Sequence, residues 1–214
     1  VVGAGVSCAT TLRASSWIKL IENGINRCAA LDVPQNWCDT TRMLLKQKSL
    51  DMLVHAAGLV HEKLVELGDF AAWLRLEFES FEVEDGSVIE ALVALNAPLV
   101  TTNYDSLIST TVPNLKHITW QEKREVTRVV RGDDRRVLHL HGHWEKPESV
   151  VLGLKSYLSV AQNDHTQAVL RAFGVGSSFL FVGCSPDGLT DPNWGRFLEW
   201  LKKHDEDGEH EHWH

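Results

Sequence analysis

No apolar run in this 214-residue sequence approaches the roughly 20 residues that a membrane-spanning helix needs, and the N-terminus has neither the basic nor the apolar region of a secretory signal. No membrane association is expected, and the cytosol is the expected site of action. Cysteine is scarce. Cys8, Cys28, Cys38 and Cys184 form no CxxC pair, which argues against a four-thiolate zinc site and against a disulfide framework, so they read as reduced thiols. Basic residues are outnumbered, 21 Lys and Arg against 29 Asp and Glu, and the formal net charge of -8 disfavours direct binding of nucleic acid through its phosphates. The locally basic stretch 116–136 reads as a solvated connection. Nothing marks disorder either: 43% hydrophobic and 23% charged residues describe an ordinary globular chain, long enough for one well-buried domain and short for two. The eight tryptophans are assigned to core or pocket walls. VVGAGVS opens in the last residues of a strand and EHEHWH stops as an extended segment begins at His212. The sequence is therefore expected to be part of a longer polypeptide.

What is present is a series of short apolar runs, each ending in a polar or glycine-rich turn. PLVTTNYDSLI reads as strand, turn and helix, with Asn103 and Asp105 in the turn. In open α/β sheets ligands lie beyond the carboxyl ends of the strands, which would place both residues in a pocket. A plainer reading makes Asp105 an N-cap and Asn103 a turn former. The first turn, through Gly3 and Gly5, would let the backbone approach a ligand and present amides to a pyrophosphate, although the third glycine of a full GxGxxG is missing and a simple tight turn fits equally well. Phe179 to Val182 reads as a central strand buried on both faces, ending in GCSPDG with Gly183 and Ser185.

Between the first strand and the second, the periodicity is helical. Trp17, Leu20, Ile21, Ile25 and Cys28 mark one helix, Leu50 to Leu64 a second and Phe70 to Phe81 a third, with Asp69 as its cap; Ser87 and Glu90 have capping-box spacing for a fourth. A helical insertion over about residues 38–95 is expected. Ile118 to Trp120 reads as a strand, and Val126 to Val130 with Arg136 to His141 reads as a hairpin or an edge pair. Val150 to Leu152 is a further strand candidate. Helices follow over 156–162 and 165–173, and a last one begins at Pro192 with Asp191 as cap. The acidic run Asp205 to Glu211 reads as a solvated loop.

HLHGHW admits several readings. Alternation would put His139, His141 and His143 on one face, where three imidazoles could chelate a metal, but no carboxylate or second histidine motif supports that, and no metal ligand is assigned. The alternatives are histidines satisfied by backbone carbonyls or exposed at a strand end. His141, directly before the turn at Gly142, is the one placed to reach the same crevice as Asn103 and act there as general base.

Strands alternating with helices imply a doubly wound, Rossmann-like parallel sheet of the α/β class, with the helical insertion after its first strand, over a single domain spanning residues 1–214. Four of its turns, GAGVS, TTNYD, LHG and VGCS, occur in an order that resembles the sirtuin-like domains, specifically the zinc-free branch found as NAD-hydrolysing effectors in prokaryotic antiphage defence. The resemblance runs from Gly3 to His212. It implies that Gly3, Ala4, Gly5 and Ser7 lie against the diphosphate of NAD, and that Asn103 orients a water and the nicotinamide ribose. It further implies that Asp105 faces the nicotinamide amide, that His141 is the catalytic histidine, and that Gly183 and Ser185 hold the adenosine half. Trp17 falls where zinc-free members often have tryptophan, and Asp191, Pro192 and Asn193 resemble their DPN signature. Deacylating sirtuins carry two CxxC pairs and an isoleucine-proline and arginine segment after the first turn; SCATTLRASSW reproduces neither feature.

The expected activity is therefore NAD glycohydrolysis to nicotinamide and ADP-ribose, with NAD as substrate and no metal. A homo-oligomer is expected, as is a regulatory region outside this sequence. A NAD-dependent protein deacylase and a non-catalytic module that senses NAD or ADP-ribose are the alternatives.

Overall fold

Three short strands, Leu99–Thr101 (β1), His117–Thr119 (β2) and Val137–His139 (β3), form a parallel sheet in the order β1-β3-β2. The computed structural model describes residues 1–47, 49–185 and 192–204. Two single-residue extensions widen the sheet beyond β1: Val2 bridges Thr101 on one side and Val182 on the other, both in parallel. Val2 donates to the carbonyl of Val100 (2.8 Å) and Gly3 to that of Val182 (2.9 Å), so the first residues lie between β1 and the segment ending at Val182.

The sheet is covered on both faces because successive side chains of a strand point opposite ways. Val100, Ile118 and Leu138, in register with one another, enter a core with Val126, Val160, Leu170, Phe173, Trp194 and Phe197. These come from helices Lys123–Val130 (α8), Leu154–Ala161 (α9), Asp164–Gly176 (α10) and Pro192–His204 (α11). Leu99 and Val137 face the other way, toward Val6, Ile89, Leu107 and Ile108 of Ala4–Thr10 (α1), Ser87–Ala94 (α6) and Leu107–Thr111 (α7). This is the expected doubly wound α/β arrangement.

The remaining helices, Trp17–Ala30 (α2), Gln35–Lys46 (α3), Leu50–Glu66 (α4) and Phe70–Phe78 (α5), share a second core around Ile21, Ile25, Val60, Leu64 and Trp73. That core also takes in Tyr104, Val150 and Leu152, so these helices dock on the loops that leave the sheet's carboxyl edge. Ser16 and Ser49 cap α2 and α4 through their hydroxyls.

Several local expectations are corrected. Val126 to Val130 is no strand but the buried stripe of α8: Val126 and Val129 are three apart on one face, while Lys123, Arg124 and Arg128 remain outside the buried core, and tertiary burial overrides the β preference of valine. The expected hairpin is thus a helix followed by β3. Val150 to Leu152 is buried and extended but joins no sheet, since the amide of Val151 is taken by the carbonyl of His141 at 2.8 Å. Asp69 does hold the N-cap position of α5, but its carboxylate makes no capping bond and instead holds the guanidinium of Arg27 from α2 through two bonds of 2.6 and 2.8 Å. The capping box at Ser87 is also absent, because α6 already begins at Ser87 and the carboxylate of Asp85 accepts from the Ser87 amide at 2.9 Å. Helix α3 adds a separate element between α2 and α4. The proposed cap at Asp191, the acidic run 205–211 and the strand at His212 lie outside the described residues. Among the described residues, no helix is long and apolar enough to cross a membrane.

Candidate functional site

Register places the four turns on one edge. Thr101 is aligned with His139, His139 with Thr119, and Val2 with both Thr101 and Val182. The residues that follow, Gly3 to Ser7, Asn103 to Asp105, His141 to Gly142 and Gly183 to Ser185, therefore all leave the sheet at its carboxyl edge. Asn103 and His141 each lie two residues beyond a paired position of adjacent strands.

Asn103, Ser7 and Asp105 form one buried network. The Asn103 amide nitrogen donates to the Gly3 carbonyl (3.0 Å) and to Ser7 Oγ (2.8 Å), and Ser7 Oγ donates to Asp105 Oδ2 at 2.6 Å. Because the Gly3 carbonyl can only accept, the amide orientation is decided by its partners. Asp105 Oδ1 accepts from the Leu107 amide at 3.0 Å, although the N-cap position of α7 falls to Ser106 and not, as the plainer reading has it, to Asp105. Complete burial pushes the Asp105 carboxyl above the usual range, against the opposing pull of the Ser7 hydroxyl and the Leu107 amide.

Two further residues support this network: Thr101, and His139 as the backbone-satisfied histidine that HLHGHW allows. Thr101 Oγ1 donates to the Val2 carbonyl (3.0 Å) and accepts from the Asn103 amide (3.0 Å), tying the turn to the first strand. His139 Nδ1 lies 2.8 Å from the Asn103 carbonyl, which makes that nitrogen the donor. Burial pushes the His139 pKa down to about 3, so the ring is neutral near pH 7. Its position two residues before the LHG histidine was the available signal.

The three histidines of HLHGHW do not share a face. The chain turns over residues 139–142, closed by the Gly142 amide on the His139 carbonyl at 3.2 Å, and this breaks the alternation before His141; at Gly142 (φ +87) an added Cβ would collide with the Ser149 carbonyl. His139 and His143 meet edge to face at 4.8 Å, whereas His141 packs edge-on against Tyr157 of α9 at 5.3 Å. His143 stacks instead on His117 at 3.8 Å.

The glycines of the first and last turns answer mainly to each other. A Cβ on Gly3 would stand 2.6 Å from the Gly183 carbonyl oxygen, and one on Gly183 (φ +68) would stand 2.5 Å from the Val6 nitrogen. The Gly5 amide, expected to face a pyrophosphate, donates to the Gly183 carbonyl at 2.8 Å. Ala4, Gly5, Gly183 and Ser185 are exposed at the rim, while Ser7, Asn103, Asp105 and His141 are 4 to 9% exposed beneath it. The four turns thus form an accessible rim over a floor that the fold largely covers. Trp17 is half-buried and touches both large cores. The side chains of Pro192 and Asn193, with Asp191, are outside the described set. Two cavities lie elsewhere: one of about 360 Å³ is lined by Gln162, Gln167, Arg171, Arg196 and Trp200, and one of about 140 Å³ by Val1, Pro98, Leu99 and Leu180 at the amino ends of the strands.

A family model described as a SIR2-like domain matches residues 98–214. The match contains the TTNYD, LHG and VGCS turns, and GAGVS, which precedes it, is hydrogen-bonded into them through Gly3, Gly5 and Ser7. Such domains use NAD as their substrate. With more than half of its length matched and those turns aligned along one edge of a parallel sheet, the chain belongs to the SIR2-like family of NAD-using domains.

Proposed function

We propose that this domain is a NAD glycohydrolase, releasing nicotinamide and ADP-ribose, and serves as the toxic effector of an antiphage or immune defence protein. The supporting observation is the juxtaposition of the Asn103–Ser7–Asp105 network with His141 at the ends of adjacent parallel strands. Both amide hydrogens of Asn103 are held by the protein, so Oδ1 is its side-chain atom left to accept from the ribose or from the attacking water.

In the proposed reaction, the bond between C1′ and the nicotinamide nitrogen breaks and its electron pair stays on the ring, which leaves neutral. Water oxygen bonds to the electron-poor C1′, and its proton passes to the imidazole of His141 and then to solvent. Gly3, Ala4, Gly5 and Ser7 line the diphosphate side, Asp105 the nicotinamide side, and Gly183 with Ser185 the adenosine side. The fused regulatory region, a homo-oligomer and a cytosolic location belong to the same proposal. The lack of paired CxxC motifs weighs against the deacylase alternative.

The test follows NAD loss by the full-length protein, with and without its trigger, beside Asn103→Ala and His141→Ala. Each substitution is expected to lower turnover by about 10²-fold or more. Equal turnover in all three proteins would remove the assignment. Formation of acyl-ADP-ribose from an acylated peptide would replace hydrolysis by deacylation.

A further inference from the structure

The side chains of His117, at the start of β2, and of His143 and Glu145, in the segment after Gly142, bring metal-ligating atoms within 4.8 Å of one another. His117 Nε2 lies 3.6 Å and His143 Nδ1 3.9 Å from Glu145 Oε2, separations close to those between neighbouring ligands around one small cation. We propose that these three groups form a binding site for a divalent transition-metal ion of the zinc class, separate from NAD cleavage.

His143 is the fixed member. Its side chain is fully buried, and Nε2 stands 3.1 Å from Ser106 Oγ, which already accepts from the indole nitrogen of Trp144 at 2.9 Å. A main-chain amide only donates, so the Glu145 amide at Nδ1 puts the ring proton on Nε2, toward Ser106 Oγ. This tautomer leaves the lone pair on Nδ1, where the Glu145 amide approaches at a long 3.3 Å. A ligating histidine held through its other nitrogen in this way is the usual second layer of a metal site.

His117 and Glu145 are the adjustable members, with side chains 22% and 50% exposed. The two imidazoles are stacked with planes 10° apart, so their lone pairs lie in parallel planes and one ring must turn to share an ion. His117, at the surface, is the ring with room to do so. Two imidazoles and one carboxylate, with positions left for water, match zinc, cobalt(II) or nickel(II) better than magnesium or calcium. The neighbouring cation, Lys146, has its ammonium on Glu122 at 2.7 Å.

The experiment titrates the metal-stripped full chain with Zn²⁺ and with Co²⁺ in the absence of NAD, so that its outcome does not depend on the NAD-hydrolase reading. It compares wild type with His117→Ala, with Glu145→Gln, and with a His210→Ala/His212→Ala/His214→Ala variant, because EHEHWH could itself bind metal. The expected result is one ion per chain, a cobalt absorption band showing nitrogen ligation, and binding weakened about tenfold or more by His117→Ala or Glu145→Gln but retained when the tail histidines are replaced. Absence of Zn²⁺ binding would overturn the site, as would loss confined to the tail variant or affinity unchanged in His117→Ala. Circular dichroism of the two surface variants separates a lost site from a lost fold.

Discussion

Ser7 carries two connections that no other side chain in the network could replace: it accepts from the Asn103 amide and donates to Asp105. Ser7→Ala removes both, leaving a buried carboxyl short of one partner and the Asn103 side-chain nitrogen with its bond to the Gly3 carbonyl. Stability should fall by about 1–3 kcal/mol in urea unfolding. If the proposed reaction is correct, NAD turnover should fall by about 10- to 100-fold in the fully folded variant, because a misdirected Asn103 no longer orients water. Turnover that follows only the folded fraction would reduce Ser7 to a packing residue. His139 acts on the same turn from the other side, through the Asn103 carbonyl.

Among the elements, the contact between α2 and α4 gives a prediction whose sign needs the structure. Gly24 sits inside α2, where replacement by alanine would ordinarily gain about 0.5–1 kcal/mol of helix propensity. Here a Cβ would strike Cγ1 of Val60 on α4 and stand 3.2 Å from Cζ2 of Trp73 on α5. Val60 is β-branched and fully buried, so it cannot swing aside cheaply. Overpacking of this kind costs about 1–3 kcal/mol and outweighs the propensity gain. Gly24→Ala should therefore lower the urea midpoint without changing the slope; an unchanged or raised midpoint would show that the helices part easily. The paired carboxylate and guanidinium of Asp69 and Arg27 join α5 to α2 in the same cluster, a tertiary use for a residue whose sequence position suggested a cap.

On the scale of the whole molecule, burial of Asp105 couples global stability to pH. A carboxyl whose folded pKa is raised binds protons more readily in the native state than in the unfolded one. Its contribution is therefore most favourable below the unfolded pKa, about 4, and is lost as pH rises toward neutrality. Asp105→Asn keeps a carbonyl oxygen for the Leu107 amide but has no charge to desolvate. The unfolding free energy of Asp105→Asn relative to wild type should therefore grow as pH rises above about 4. A difference independent of pH would mean that the native carboxyl titrates as it does in the unfolded chain.

The fold class, the edge turns and the helix-rich stretch before β1 are written in the order of residues along the chain. These depend on local patterns: apolar runs ending in polar turns, and i, i+3, i+4 ladders such as Leu20, Ile21 and Ile25. What depends on partners distant in sequence was left to the fold. It made 126–130 a helix by burying Val126 and Val129 under the sheet, sent Asp69 to Arg27, and separated His141 from His139 and His143 in the turn over 139–142. It also brought Ser7 to Asn103, 96 residues away, and His143 to His117 on another strand. Periodicity reports which face of an element is buried; which groups meet across that face is settled by packing density and by the demand of each buried donor and acceptor for a partner.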